Sequence, residues 1–302
     1  SRRLYSNTEI DLTLLGGQVP IEEAVVDFAD GKLNLITLSI FNRGDGGTLS
    51  RQEFERRIKL VGAALSKGLA GKPLEIKADK QQGLLAEGYR WNTPAGTALL
   101  ECNEGALTSA SIEFLRLRVA RKGASGGLAA SMLATRGGAA VKLSDLPRNV
   151  RKDDKGNVMV TGLPMIDQGN KGYCVVASVQ RLFEYYGMGA DMHQIAEVSK
   201  ADPEKGTSTL SMAQELAKID FRFKTRLKIL GMMDQSGGLV QVERDFKVGR
   251  PVDETAFLKL IRSHVNDGLP LLWSLEVGRF PEVPDLRPQS GGGHMRLITG
   301  YN

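Results

Sequence analysis

The residues best suited to chemistry in this 302-residue chain lie in two short runs. One is Gln168-Gly169-Asn170-Lys171-Gly172-Tyr173-Cys174; the other, far downstream, is Gly291-Gly292-Gly293-His294. A glutamine six residues before a cysteine, with a distant histidine behind glycines, is the layout of a thiol nucleophile site. The whole chain has two cysteines and three histidines, so few assignments compete. A thiol attacks a carbonyl as the thiolate, so its pKa must fall from about 8.5. A nearby imidazolium lowers it and later protonates the leaving amine. The tetrahedral intermediate needs donors for its oxyanion. The backbone N–H of Cys174 and the side-chain amide of Gln168 are suited to that task. Glycines at 169 and 172 let the loop bend so that both donors face one point.

Three kinds of element must position these groups. A helix is predicted to start at Cys174, with Val175, Val179, Leu182 and Tyr186 on one stripe, Val176 and Phe183 beside it, and Gly187 at its left-handed end. Its free N–H groups and dipole would stabilise a thiolate at that first residue. His294 is expected to open a short strand, Met295–Thr299, after a loop over Arg279–Gly293. Leu271–Leu275 reads as the preceding strand. Between helix and strands, Asp191 is expected to cap a helix over Met192–Val198. Ser208 or Thr209 caps another, with Leu210, Ala213, Leu216 and Ala217 inward. Asp253 precedes a further helix, with Phe257, Leu260, Ile261 and Val265 inward and Gly268-Leu269-Pro270 ending it. Helices followed by strands within one domain give an α+β reading.

Upstream, the pattern changes to period two. Ile10, Leu12 and Leu14 alternate, as do Leu33, Leu35 and Thr37, with a hairpin turn at Asp30-Gly31. Ser50-Arg51-Gln52-Glu53 is a capping box, with serine and glutamate each bonding the other's backbone N–H. Phe54, Ile58, Val61 and Leu65 follow at helical spacing, ending at Gly68. Strand-like runs cover Leu84–Trp91, Thr97–Cys102 and Ile112–Val119. The expected organisation is a small α+β domain over 1–120, of unknown role, then a linker or crossover over 121–157. That connector includes the Gly- and Ala-rich run Gly123–Gly138 and a turn signal at Asp154–Asn157. A second α+β domain spans 158–302.

The residues of that second domain resemble a family. Gln168-Gly169, Gly172 and Cys174 resemble the active-site loop of papain-like cysteine peptidases. Cys174-Val-Val-Ala-Ser178, Tyr185-Tyr186-Gly187, Gly206-Thr207-Ser208, Gly268-Leu269-Pro270 and Gly293-His294-Met-Arg-Leu-Ile-Thr-Gly300-Tyr301 resemble its bacterial branch, related to the double-glycine leader peptidases. The resemblance covers about 158–302 only. It implies hydrolysis of peptide bonds, with Cys174 as nucleophile, His294 as general base and Gln168 as the oxyanion-hole side chain. Tyr173 departs from the Asp or Asn common in that branch. The family orients its histidine with an Asn or Asp on the strand after the histidine strand. Asn302 ends this chain, and eight extended residues at roughly 3.3 Å each would put it ~26 Å from His294. The expectation is therefore that the domain is cut short and its orienting residue lies beyond Asn302; Asp167 or an unassisted dyad are the alternatives.

Composition narrows the partners. The net charge of +5 is spread along the chain rather than gathered in a stripe, which disfavours nucleic acid. No uncharged apolar run approaches the ~18 residues of a membrane span. The expected partner is a peptide or protein substrate, with no cofactor and no metal. Gly44 and Gly46 stand where the Asn42–Glu53 run would need carboxylates to be a calcium loop, and no second cysteine or paired histidine offers zinc spacing. Cys102 reads as a small buried hydrophobe. His193 and His264 read as surface or boundary histidines, and the basic run Arg116, Arg118, Arg121, Lys122 as the solvated face of a strand. The resemblance and the opening on Ser1 suggest an exported bacterial protein. The same thioester chemistry could instead serve an acyltransferase, and a catalytically silent peptide-binding module could keep the fold.

Overall fold

The structure, a computed structural model, describes residues 11–29, 31–43, 47–78, 86–108, 110–124, 141–166, 168, 172–188, 192–199, 208–219, 226–231, 253–278 and 292–302. The chain divides into two compact units, both of mixed helix and antiparallel sheet, so the class is α+β. The first comprises Ser1–Ala139 with Tyr186–Glu197, and the second Ala140–Tyr185 with Val198–Asn302. Among the described residues no helix is long and apolar enough to cross a membrane.

The first unit opens with a short hairpin, β1 (Leu12–Leu14) and β2 (Val19–Ile21). A six-stranded antiparallel sheet follows, in the order β3-β4-β8-β7-β6-β5. Its strands are β3 (Glu23–Ala29), β4 (Lys32–Asn42), β5 (Leu74–Ile76), β6 (Ala86–Asn92), β7 (Gly96–Asn103) and β8 (Phe114–Arg121). Helix α1 (Arg51–Gly68) lays Phe54 and Val61 on one face of this sheet. There they meet Phe41, Trp91, Leu100, Leu115 and Leu117, all nearly inaccessible to water. Each such side chain contributes about 2 kcal/mol of burial. Half of the expected capping box forms. Ser50 Oγ accepts from the Glu53 N–H at 3.2 Å. The Glu53 carboxylate, however, takes Arg56 and Arg57 at 2.7 and 2.8 Å, because two guanidinium groups one turn on are stronger donors than one amide.

The opposite face of the sheet overturns one expectation. Arg116 and Arg118 are not solvated but 0% and 5% exposed. β8 is a central strand, between β4 and β7, and its alternate residues point away from α1 into a covered face. Glu101 stands across from Arg116 on β7 and binds both guanidinium groups; Arg118 Nη2 donates to it at 2.8 Å. Burial would raise the Glu101 carboxyl, yet the charges of Arg116 and Arg118 and their hydrogen bonds hold it below the usual range. The first unit also takes in most of helix α3 (Met192–Ser199). On it His193, expected at the surface or a boundary, is buried, with Nε2 3.3 Å from Glu23 Oε2.

The second unit begins inside the segment expected as a connector. Residues 143–149 form a 3-10 helix, and β9 (Val150–Lys152) and β10 (Val158–Val160) form a hairpin. Its turn is tied by Asp153, whose carboxylate accepts the N–H groups of Lys155 and Asn157, each at 2.9 Å. The unit continues with helices α2 (Cys174–Tyr185), α4 (Thr209–Ile219) and α5 (Glu254–Asn266). Three strands complete it: β11 (Leu271–Val277), β12 (Gly292–Ile298) and β13 (Gly300–Tyr301). β11 and β12 form an antiparallel pair, while β13 joins the β9–β10 hairpin. Asp253 caps α5 through the Ala256 N–H at 2.8 Å. Gly268 ends it at φ 74°, where a Cβ would meet the Leu146 carbonyl oxygen at 2.2 Å, so both the backbone conformation and the close approach require glycine. Phe257 of α5 packs edge-on against Trp273 of β11, with ring centroids 4.5 Å apart.

Candidate active site

α2 starts at Cys174, as the apolar stripe predicts, and Gly187 follows its end at φ 73°. Val175, Val176, Ala177, Ser178, Val179 and Gln180 are all buried, so the first turns of the helix are enclosed on every side. Tyr173, 1% exposed, anchors the entry, and its carbonyl accepts the Ala177 N–H at 2.8 Å to close the first turn. The N–H groups of Cys174, Val175 and Val176 precede that bond and form the positive end of the helix. No acidic side chain occupies the first turn to offset them. Cys174 itself is only partly buried, in contrast to its neighbours. A thiolate here would sit at a helix N-terminus with one side open to a substrate.

His294 is the third residue of β12, paired with Leu275 of β11, and half-buried. The strand opens at Gly292, earlier than expected, because Gly292 and Gly293 pair with Val277 and Glu276. α2 packs against β12, and Ser178 Oγ donates to the Met295 carbonyl at 3.3 Å. That bond lies one helical turn from Cys174 and one residue from His294. The nucleophile and base candidates are thus carried by two packed elements of one unit. Gln168, also half-buried, stands on the segment that runs from β10 into α2. That segment is fixed upstream, where the Val160 N–H donates to the Thr299 carbonyl at 2.7 Å. It is fixed again at Pro164, whose carbonyl accepts from Arg181 Nε at 2.8 Å. Asp167, Gly169, Asn170 and Lys171, with Asp191 and the loop over 279–291, lie outside the described residues.

No family model, curated protein or solved structure matches this chain. The site therefore rests on its own geometry. The other cysteine and histidines belong to other elements. Cys102 is 1% exposed in the first unit's core, and burial, with Glu87 and Glu101 near, pushes its thiol well above the ordinary range. His193 belongs to the first unit, and His264 ties its Nδ1 to the Leu260 carbonyl oxygen at 2.8 Å on α5. Asn302 is exposed and follows β13 along the edge of β10, a different sheet from the one that carries His294.

Sequence reasoning passed over the polar side chains of α2. Cys174, Ser178, Arg181 and Tyr185 are spaced four, three and four residues apart, so they form one stripe along the helix. Ser178 reaches β12, Arg181 reaches the segment leading to Gln168, and Tyr185 donates to the Gly268 carbonyl at 2.7 Å. The one signal for this was a serine and an arginine in helical register with Cys174.

Proposed function

We propose that the second unit is a papain-like cysteine peptidase domain, of the bacterial branch related to the double-glycine leader peptidases, acting on peptide or protein substrates. Cys174 Sγ attacks the scissile carbonyl. The Cys174 N–H and the Gln168 side-chain amide receive the oxyanion, and His294 takes the thiol proton and returns it to the leaving amine. Water then hydrolyses the thioester with His294 as base. The observation that carries this reading is Cys174 as the first residue of an enclosed helix that packs on the strand bearing His294, with Gln168 on the segment entering the helix. The test is to treat the native chain with a thiol-directed epoxide, map the adduct, and compare peptide hydrolysis with Cys174→Ala. The expected result is one adduct, at Cys174, and loss of all hydrolysis in the variant. Labelling at Cys102, at neither cysteine, or hydrolysis that survives Cys174→Ala overturns the reading.

A further inference from the structure

We infer that the polar stripe of α2 is the alignment device of the site: Ser178 is a positioning residue for the Cys174–His294 pair, and Arg181 one for Gln168. The inference rests on the peptidase reading and adds residues that the chemistry itself does not require.

A thiolate–imidazolium pair is useful only if both partners are held in register, since misplacement by about 1 Å can cost ~100-fold in rate. Cys174 and His294 are 120 positions apart in the chain, so no local geometry sets their separation. Van der Waals packing between a helix and a strand leaves the helix free to slide along its axis. A directional hydrogen bond does not. Ser178 Oγ supplies one, buried, to the main chain of the residue next to His294. It acts on the Met295 carbonyl, so it fixes the strand backbone and leaves the histidine ring for chemistry. Three residues on, the Arg181 guanidinium holds the Pro164 carbonyl, four residues before Gln168. Both tethers leave from the stripe that begins at Cys174. A small shift of the helix would therefore change base and oxyanion donor together.

The two arms predict different losses. Ser178→Ala loosens β12 against Cys174. The imidazole is then out of register with the thiol, and Cys174 alkylation at neutral pH slows about tenfold. Arg181→Met loosens the Gln168 segment. This leaves the alkylation rate in place and lowers kcat about tenfold with little change in KM, a fraction of the ~100-fold loss on removing an oxyanion donor.

The experiment measures the rate of iodoacetamide reaction at Cys174 at neutral pH, together with kcat and KM of peptide hydrolysis, in the wild-type chain and in Ser178→Ala, Ser178→Thr and Arg181→Met. The expected result is alkylation and kcat each about tenfold slower in Ser178→Ala with KM little changed, both restored in Ser178→Thr, and alkylation unmoved in Arg181→Met. Ser178→Ala rates that match the wild type overturn the inference and leave the peptidase reading intact. So do Ser178→Thr rates that stay with Ser178→Ala. A wild-type chain that neither reacts at Cys174 nor hydrolyses peptide overturns both.

Discussion

Glu101 is the residue on which the first unit's buried face depends. It is a single carboxylate between Arg116 and Arg118, with all three almost without contact with water. Burial pushes the Arg116 guanidinium down to about 10, partly offset by Glu101, and it remains charged at neutral pH. Such a group costs more to break than it contributes as a whole, because removing one partner strands the others in a low-dielectric setting. Glu101→Gln is therefore expected to destabilise the first unit by about 3–5 kcal/mol, read as a fall in the urea midpoint with an unchanged slope. A loss under about 1 kcal/mol would mean that the arginines are effectively solvated. The pH sign follows from the lowered carboxyl. Its contribution is complete above the ordinary carboxylate range and is lost as pH falls through the depressed folded value, so acid unfolding of this face should begin below the ordinary carboxylate range. Cys102, 1% exposed in the core, should stay unreactive until the same unfolding exposes it.

At the scale of elements, α3 carries a second titration with the opposite sign. Glu197 faces Arg116, Glu113 and Glu104; burial, with the Glu113 charge, pushes its carboxyl up to about 7. A group whose folded value is raised binds its proton more tightly in the folded state. Stability then falls as pH rises from the ordinary carboxylate value toward 7, and levels off above it. Replacing Glu197 with Gln should flatten the dependence of Tm on pH between about 4.5 and 7, measured by thermal scans at several pH values. An unaltered slope would place the titration elsewhere. This element also shows why parts of the fold were legible and others not. Strands β4, β6, β7 and β8 and the start of α2 at Cys174 follow from local periodicity, since period two or 3.6 marks a buried face directly, whereas β3 and the three-residue β5 carried no such signal. Arg116 and Arg118 showed a face, but not that it is covered. Its charge partner Glu101 lies on β7, and Glu197 comes from a helix some 80 positions downstream. Gly292 and Gly293 read as loop because glycine has no strand signal of its own; pairing with β11 makes them strand. In the candidate site, the types and order of Gln168, Cys174 and His294 were visible. The tethers of Ser178 and Arg181 were not, because their acceptors are main-chain carbonyls, which the sequence does not distinguish.

At the scale of the molecule, the two units are not two consecutive pieces of chain. The first takes Tyr186–Glu197 from the middle of the second, immediately after the helix that begins at Cys174. On α3, Met192, Ile195 and Ala196 are buried, Ile195 completely. A fragment cut at the apparent junction, residues 140–302, would keep the whole candidate site yet lose the six-stranded sheet of the unit to which α3 belongs. Exposing Met192 and Ile195 forfeits about 2 kcal/mol each, and Ala196 about 1 kcal/mol, against the 5–15 kcal/mol that holds a typical domain. The fragment is therefore expected to bind a hydrophobic dye that the full chain does not bind, read by dye fluorescence. Ile195→Asp in the full chain should lower the urea midpoint of the first unit without removing any residue of the candidate site. A fragment that binds no dye, together with an Ile195→Asp chain whose urea midpoint is unchanged, would show that α3 is not held by the core of the first unit.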